Sequence, residues 1–175
     1  MPNARTLACL FFSVLLTGCA ATVERGGPGD LSINASSKQN LAVEFDGSAK
    51  VLAHEDWPLL QKTWSESLKR EAASEGYNLL VVDRAPAPRP GILLKVDVST
   101  FRYISSGARY AAGAMTGNAW VNSTIIFVDT QTGQQIGSSV YNTKSTAWQG
   151  VFSAMTEKQL DALSKRIIAD IKAAK

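Results

Sequence analysis

The 175-residue chain has few side chains able to do covalent or metal chemistry: two cysteines, Cys9 and Cys19, and one histidine, His54. Structural zinc draws its four ligands mostly from Cys and His, so this set cannot furnish such a site. A nucleophile–His–acid triad would have to use His54, which lies in LAHEDWP beside Glu55 and Asp56 and reads as an exposed residue before a helix. Glycosidases need two carboxylates held at a defined separation. Glu44, Asp46, Glu55, Asp56, Asp97 and Asp129 follow no spacing that selects two of them. Asp46 and Asp129 read as strand ends and Asp56 as a helix cap. No catalytic residue, no metal site and no cofactor is expected.

Two segments carry residues suited to contact rather than catalysis. In SSGARYAAGAMTGNAW, Ser105–Trp120, three glycines lie among alanines with Arg109 and Tyr110 between them. No Lys-Ser or Lys-Thr follows the last glycine and no helix begins there, so the phosphate-loop reading fails. The segment is either a mobile connection between strands or one that orders against a partner. In the second case Arg109, Tyr110 and Trp120 are the contacts, and Gly113 and Gly117 permit close approach. In TAWQGVFSAM, Thr146–Met155, Trp148 and Phe152 stand in a connection, where large apolar residues either tuck under the domain or form a contact patch.

Cys19 has a different reading. Met1–Arg5 carries one positive charge and Leu7–Leu16 is apolar apart from Ser13. That run is too short for a hydrocarbon core that takes roughly 20 residues to cross, and it reads as the apolar part of a signal peptide. Leu16-Thr17-Gly18-Cys19 follows directly and resembles the bacterial lipobox. The resemblance implies cleavage before Cys19 and acylation of that residue, with two or more chains giving a firm membrane anchor. Residues 1–18 would then be signal peptide, and 19–40 (beginning CAATVERGG) a lipidated, flexible tether with a root-mean-square reach of roughly 25 Å. The mature chain would keep Cys19 alone and form no internal disulfide. Ala20, in place of an aspartate, favours the outer membrane, periplasmic side.

Residues 41–175 are expected to form one domain. Removing residues 1–18 takes Arg5 and no acid, lowering the formal charge from +3 to +2. No cluster of Lys and Arg interleaved with aromatics is present, so nucleic acid is not expected as a partner. Leu41, Val43 and Phe45 alternate as a strand ending at Asp46-Gly47. Leu60, Trp64, Leu68 and Ala72 recur every fourth residue in a helix over about Trp57–Glu75 that Gly76 stops. Tyr77–Val82 reads as a buried strand, and the prolines of DRAPAPRPG, Asp83–Gly91, force an extended loop. Ile92–Tyr103 alternates, and Ala119–Asp129 and Gln135–Thr146 flank a hairpin turn at Thr130–Gly133. Thr156 and Gln159 fit a capping box ahead of the stripe Leu160, Leu163, Ile167, Ile171. The order β-α-β-β-β-β-α predicts an α+β fold of two layers: one mostly antiparallel sheet of about five strands, covered by two helices.

The stretch from about Leu93 to the C-terminus, with Arg109 in a Gly/Ala loop, then a strand ending Asp129-x-x-Thr132-Gly133, then an Ala-rich helix, resembles small bacterial envelope lipoproteins of unknown function. That resemblance bears on fold and address and brings no substrate. The expected role is non-enzymatic: binding another envelope component, or self-assembly like the ring-forming accessories of secretion and polysaccharide export. The alternative is a small-ligand or cell-wall glycan binding module, for which Tyr103, Tyr110 and Trp120 would converge on a pocket.

Overall fold

The computed structural model describes residues 22–27, 31–105, 107, 108, 111, 117–144 and 156–175. In chain order these form β1 (Thr22–Gly26), β2 (Asn40–Gly47), α1 (Ala49–Leu52), α2 (Trp57–Ser74), β3 (Asn78–Val81), β4 (Ile92–Arg102), β5 (Trp120–Asp129), β6 (Gln135–Lys144) and α3 (Thr156–Ala173). The sheet order is β1-β6-β5-β4-β2-β3. The pairings from β1 to β4 are antiparallel, whereas β2 runs parallel to both β4 and β3. The fold is therefore two-layer α+β, with α2 and α3 on one face.

Alternation decides which face is covered. On β5, Val121, Ser123, Ile125 and Phe127 are buried, while Trp120, Asn122, Thr124, Ile126 and Val128 are half-buried on the helix-free side. The covered face meets Leu60, Trp64 and Leu68 of α2 and Leu160, Leu163, Ile167 and Ile171 of α3 in one core. The four-residue recurrence read from the sequence is the stripe that α2 buries. At its C-terminus Gly76 takes φ +77°. The Tyr77 amide donates to the Ala72 carbonyl at 2.9 Å and the Gly76 amide to Ala73 at 3.0 Å. This double closure needs a left-handed residue that glycine adopts without steric cost.

The structure corrects four expectations. First, the segment expected to be a tether over 19–40 is ordered in large part. Residues 22–26 are a sixth strand on β6, Leu31 and Ile33 are buried, and Ser37–Gln39 is a 3-10 turn. The Ile33 amide donates to the Lys175 carbonyl at 2.7 Å and the Lys175 amide to Leu31 at 3.2 Å. Lys38 Nζ reaches the Ala174 carbonyl at 2.7 Å, closing the end of α3. Two buried aliphatics contribute about 1.5–3 kcal/mol each, which holds this segment against α3. Second, β3 is an edge strand: only Leu79 turns inward, and Leu80 and Val81 are 43% and 38% exposed.

Third, Thr156 and Gln159 form no capping box. The Ile104 amide donates to Thr156 Oγ1 at 2.7 Å and the Thr156 amide to the Ile104 carbonyl at 3.0 Å. Gln159 Nε2 donates to Ala119 O at 2.8 Å, and its Oε1 accepts from Thr143 Oγ1 at 3.1 Å. Both side chains are buried and tie the start of α3 to the ends of three strands, where unmade bonds would be costly. Fourth, the Asp56 side chain caps nothing; its amide instead donates to His54 Nδ1 at 3.1 Å. Asp129 does close its strand, Oδ1 accepting the Gln131 and Thr132 amides at 2.9 Å.

Candidate functional site

Several residues singled out from the sequence lie at one end of the sheet. Thr22 opens β1 opposite Lys144, the last residue of β6. Lys144 lies opposite Trp120, the first of β5, and Trp120 opposite Arg102, the last of β4. The connections 103–119 and 145–155 therefore both leave from this end. The paired Ile104 and Thr156 backbones fix their roots side by side. Cys19, Arg109, Tyr110, Gly113, Trp148 and Phe152 lie outside the described residues.

Gly117 and Trp120 are described, and they hold one side chain between them. The Arg102 guanidinium lies 5.7 Å from the centre of the Trp120 ring, a cation–π distance. Gly117 has φ +77°, and a Cβ there would stand 2.7 Å from Arg102 Nη1 and 3.3 Å from Nη2. The positive φ is what favours glycine here, and a Cβ would displace the end of the Arg102 side chain. Tyr103 turns instead toward α2, its hydroxyl 3.2 Å from Thr63 Oγ1. Desolvation raises its pKa above the ordinary value, and the Thr63 bond opposes that rise. Tyr103 and Trp120 consequently do not converge.

The helix-free face at this end carries a cleft of about 490 Å³ lined by Glu24, Asn118, Trp120, Asn122, Asn142 and Thr143. Asn122 is the direct cross-strand partner of Asn142, and Asn142 of Glu24. Three polar side chains thus stand in a row across β5, β6 and β1. Sequence reading missed this row because each residue is an ordinary polar position on its own strand. The signal was the alternation itself, which places Asn122 and Trp120 on the uncovered face.

Across the sheet, the β1 edge is fastened to α3. Asp170 is 12% exposed and accepts from Arg25 Nε at 3.1 Å and Arg166 Nε at 3.1 Å. It also accepts from Tyr141 Oη at 2.8 Å. Tyr141 is fully buried, and its pKa is raised well above the ordinary value, by burial first and by Asp170 next. His54 packs 4.8 Å from the Phe101 ring, with its Nδ1 accepting from the Asp56 amide. Among the described residues no group of three or more His, Cys, Asp or Glu is placed to hold a metal. No helix among them is long and apolar enough to cross a membrane.

No protein-family model and no curated protein matches the chain. Among solved structures, the PelC dodecamer from Paraburkholderia phytofirmans superposes with a TM-score of 0.52 at 13% identity, over 89% of this chain and 99% of that one. A Xanthomonas campestris protein of the DUF330 family model gives 0.45 at 10% identity, over 81% of this chain and 90% of that one. At 13% identity the likeness to PelC is one of fold alone: this chain shares the fold of the PelC subunit.

Proposed function

We propose that this chain is a lipid-anchored, non-enzymatic protein of the periplasmic side of the outer membrane, which acts by assembling with copies of itself or with another envelope component. Leu16-Thr17-Gly18-Cys19 after an apolar run supports the anchor. The observation that carries the reading is the position of β1. Its first residue, Thr22, is three residues beyond Cys19 and lies at the sheet end from which the Gly/Ala and Trp148 connections leave. Three extended residues span at most about 10 Å. An acylated Cys19 would therefore hold this end of the body at the bilayer surface, not on a 25 Å leash. The roots of both connections, at Ile104 and Thr156, would then face the layer where neighbouring anchored proteins meet.

Assembly is supported by two features. β1 and β3 are the outer strands of the sheet, and β3 exposes Leu80 and Val81; outer strands present backbone donors and acceptors to another chain. The shared fold belongs to a subunit crystallised as a dodecamer. Crosslinking in intact cells, with the mass of the Cys19→Ser protein measured in solution, tests the proposal. Self-crosslinks or a recurring envelope partner, with a multimeric mass in the first case, are expected. A protein that stays monomeric at high concentration and crosslinks to nothing in the envelope contradicts it.

A further inference from the structure

We infer that the cleft on the helix-free face, at Trp120, Asn122, Asn142 and Glu24, is a binding site for a hydroxyl-rich saccharide. Its volume of about 490 Å³ lies in the range of ligand sites, about 300–1,000 Å³. The Asn118, Asn122 and Asn142 carboxamides and the Glu24 carboxylate make no side-chain hydrogen bond or ion pair among the described residues. The cleft therefore presents three groups that both donate and accept, and one strong acceptor. Hydroxyl groups have the same double character, which makes a sugar ring a natural complement.

The register adds spacing. Asn122, Asn142 and Glu24 are direct cross-strand neighbours, so successive polar groups stand about 4.8 Å apart, comparable with the width of a hexose ring. Trp120 borders the same space and offers an apolar, polarisable surface of the kind that packs on the C–H side of a pyranose.

Other ligand classes fit less well. A phosphate or nucleotide would meet the Glu24 carboxylate, while the Arg102 guanidinium beside the cleft is already stacked on Trp120. An extended peptide adds to a sheet along its edge, and this cleft lies on a face, over three consecutive strands. The inference does not rest on the anchor, so the two readings fail separately when the Cys19→Ser protein is used.

The test is a titration of the isotopically labelled Cys19→Ser protein, followed by NMR at the Trp120 indole and the asparagine side-chain amides. The probes are N-acetylated chitotriose, cellotriose and solubilised peptidoglycan glycan strands. Saturable shifts at Trp120, Asn122 and Asn142 are expected with at least one probe. Trp120→Ala and, separately, Asn142→Leu should weaken binding about tenfold or more, the scale of losing one anchoring contact. Leu59→Ala, on the exposed face of α2, should leave binding unchanged. Asn142→Leu keeps the test valid if Trp120→Ala fails to fold. Absence of shifts with every probe overturns the inference, as does binding that survives both cleft variants. So does a change in solution mass on Asn142→Leu without saccharide binding, which would make the cleft an interface between copies.

Discussion

Replacing Asp170 with alanine should loosen the attachment of β1 and lower the stability of the whole domain. Asp170 accepts from Arg25, Arg166 and Tyr141 at 3.1, 3.1 and 2.8 Å. Arg25 and Arg166 side chains are 29% and 47% exposed, so water replaces the lost carboxylate and each contributes only about 0.2–1 kcal/mol. Tyr141 is out of reach of water: its residue is fully buried, and a buried donor that loses its carboxylate acceptor costs about 1–3 kcal/mol. The sum is about 1.5–5 kcal/mol, read as a lower midpoint in urea unfolding of the Cys19→Ser protein with the slope unchanged. Tyr141→Phe alone should cost about 0.5–1.5 kcal/mol, since it removes the donor along with the bond. The double variant should be no less stable than Asp170→Ala by itself, because the orphaned hydroxyl is then gone. Fully additive losses, or an Asp170→Ala penalty below about 0.5 kcal/mol, would refute this assignment of cost to the buried phenol.

Other outcomes follow from the same geometry. Tyr141 keeps its proton in the folded chain at pH values where the unfolded chain, with an ordinary pKa of about 10, releases it. Its contribution is therefore whole below pH about 10 and is lost as pH rises above that, by about 1.4 kcal/mol per unit; Tyr141→Phe should flatten this alkaline decline in chemical denaturation. Leu31→Ala should cost about 2–4 kcal/mol in thermal or urea melts, a loss no residue of a free tether would cause. Gly117→Ala should destabilise by at least about 1 kcal/mol and move the Trp120 indole resonance by displacing Arg102. Gln159→Leu should cost about 1–2 kcal/mol by removing the bonds to the Ala119 carbonyl and the Thr143 hydroxyl, seen as faster amide exchange at the ends of β5 and β6.

Much of the architecture was legible in the chain because burial imprints its period. Leu94, Val96 and Val98 on β4 and Leu60, Trp64 and Leu68 on α2 announce a strand and a helix by spacing alone. β1 was not legible: Thr22–Gly26 contributes one inward aliphatic, Val23, and its ordering comes from Arg25 reaching Asp170 across the fold. Leu31 and Ile33 did offer a signal, two aliphatics spaced by two in a polar run, outweighed by the glycines around them. Thr156 and Gln159 have the types and spacing of a capping box, yet the carbonyls of Ala119 and Ile104 and the Thr143 hydroxyl compete for the same atoms and win. Sequence cannot weigh that competition, because the rivals are 16 to 52 residues away. The cleft was hidden for a related reason: Glu24, Asn122 and Asn142 become neighbours only through strand register. Sequence reading also had no means to show that Arg102 lies over the Trp120 ring.

Acylation of Cys19, three residues before Thr22, is what would bring the sheet end to a bilayer. Mass spectrometry of the N-terminal peptide from detergent-extracted protein tests it most directly. The account predicts a chain beginning at Cys19 and carrying diacylglyceryl and amide-linked acyl mass. A peptide that still includes residues before Cys19, or a Cys19 of unmodified mass, would contradict it.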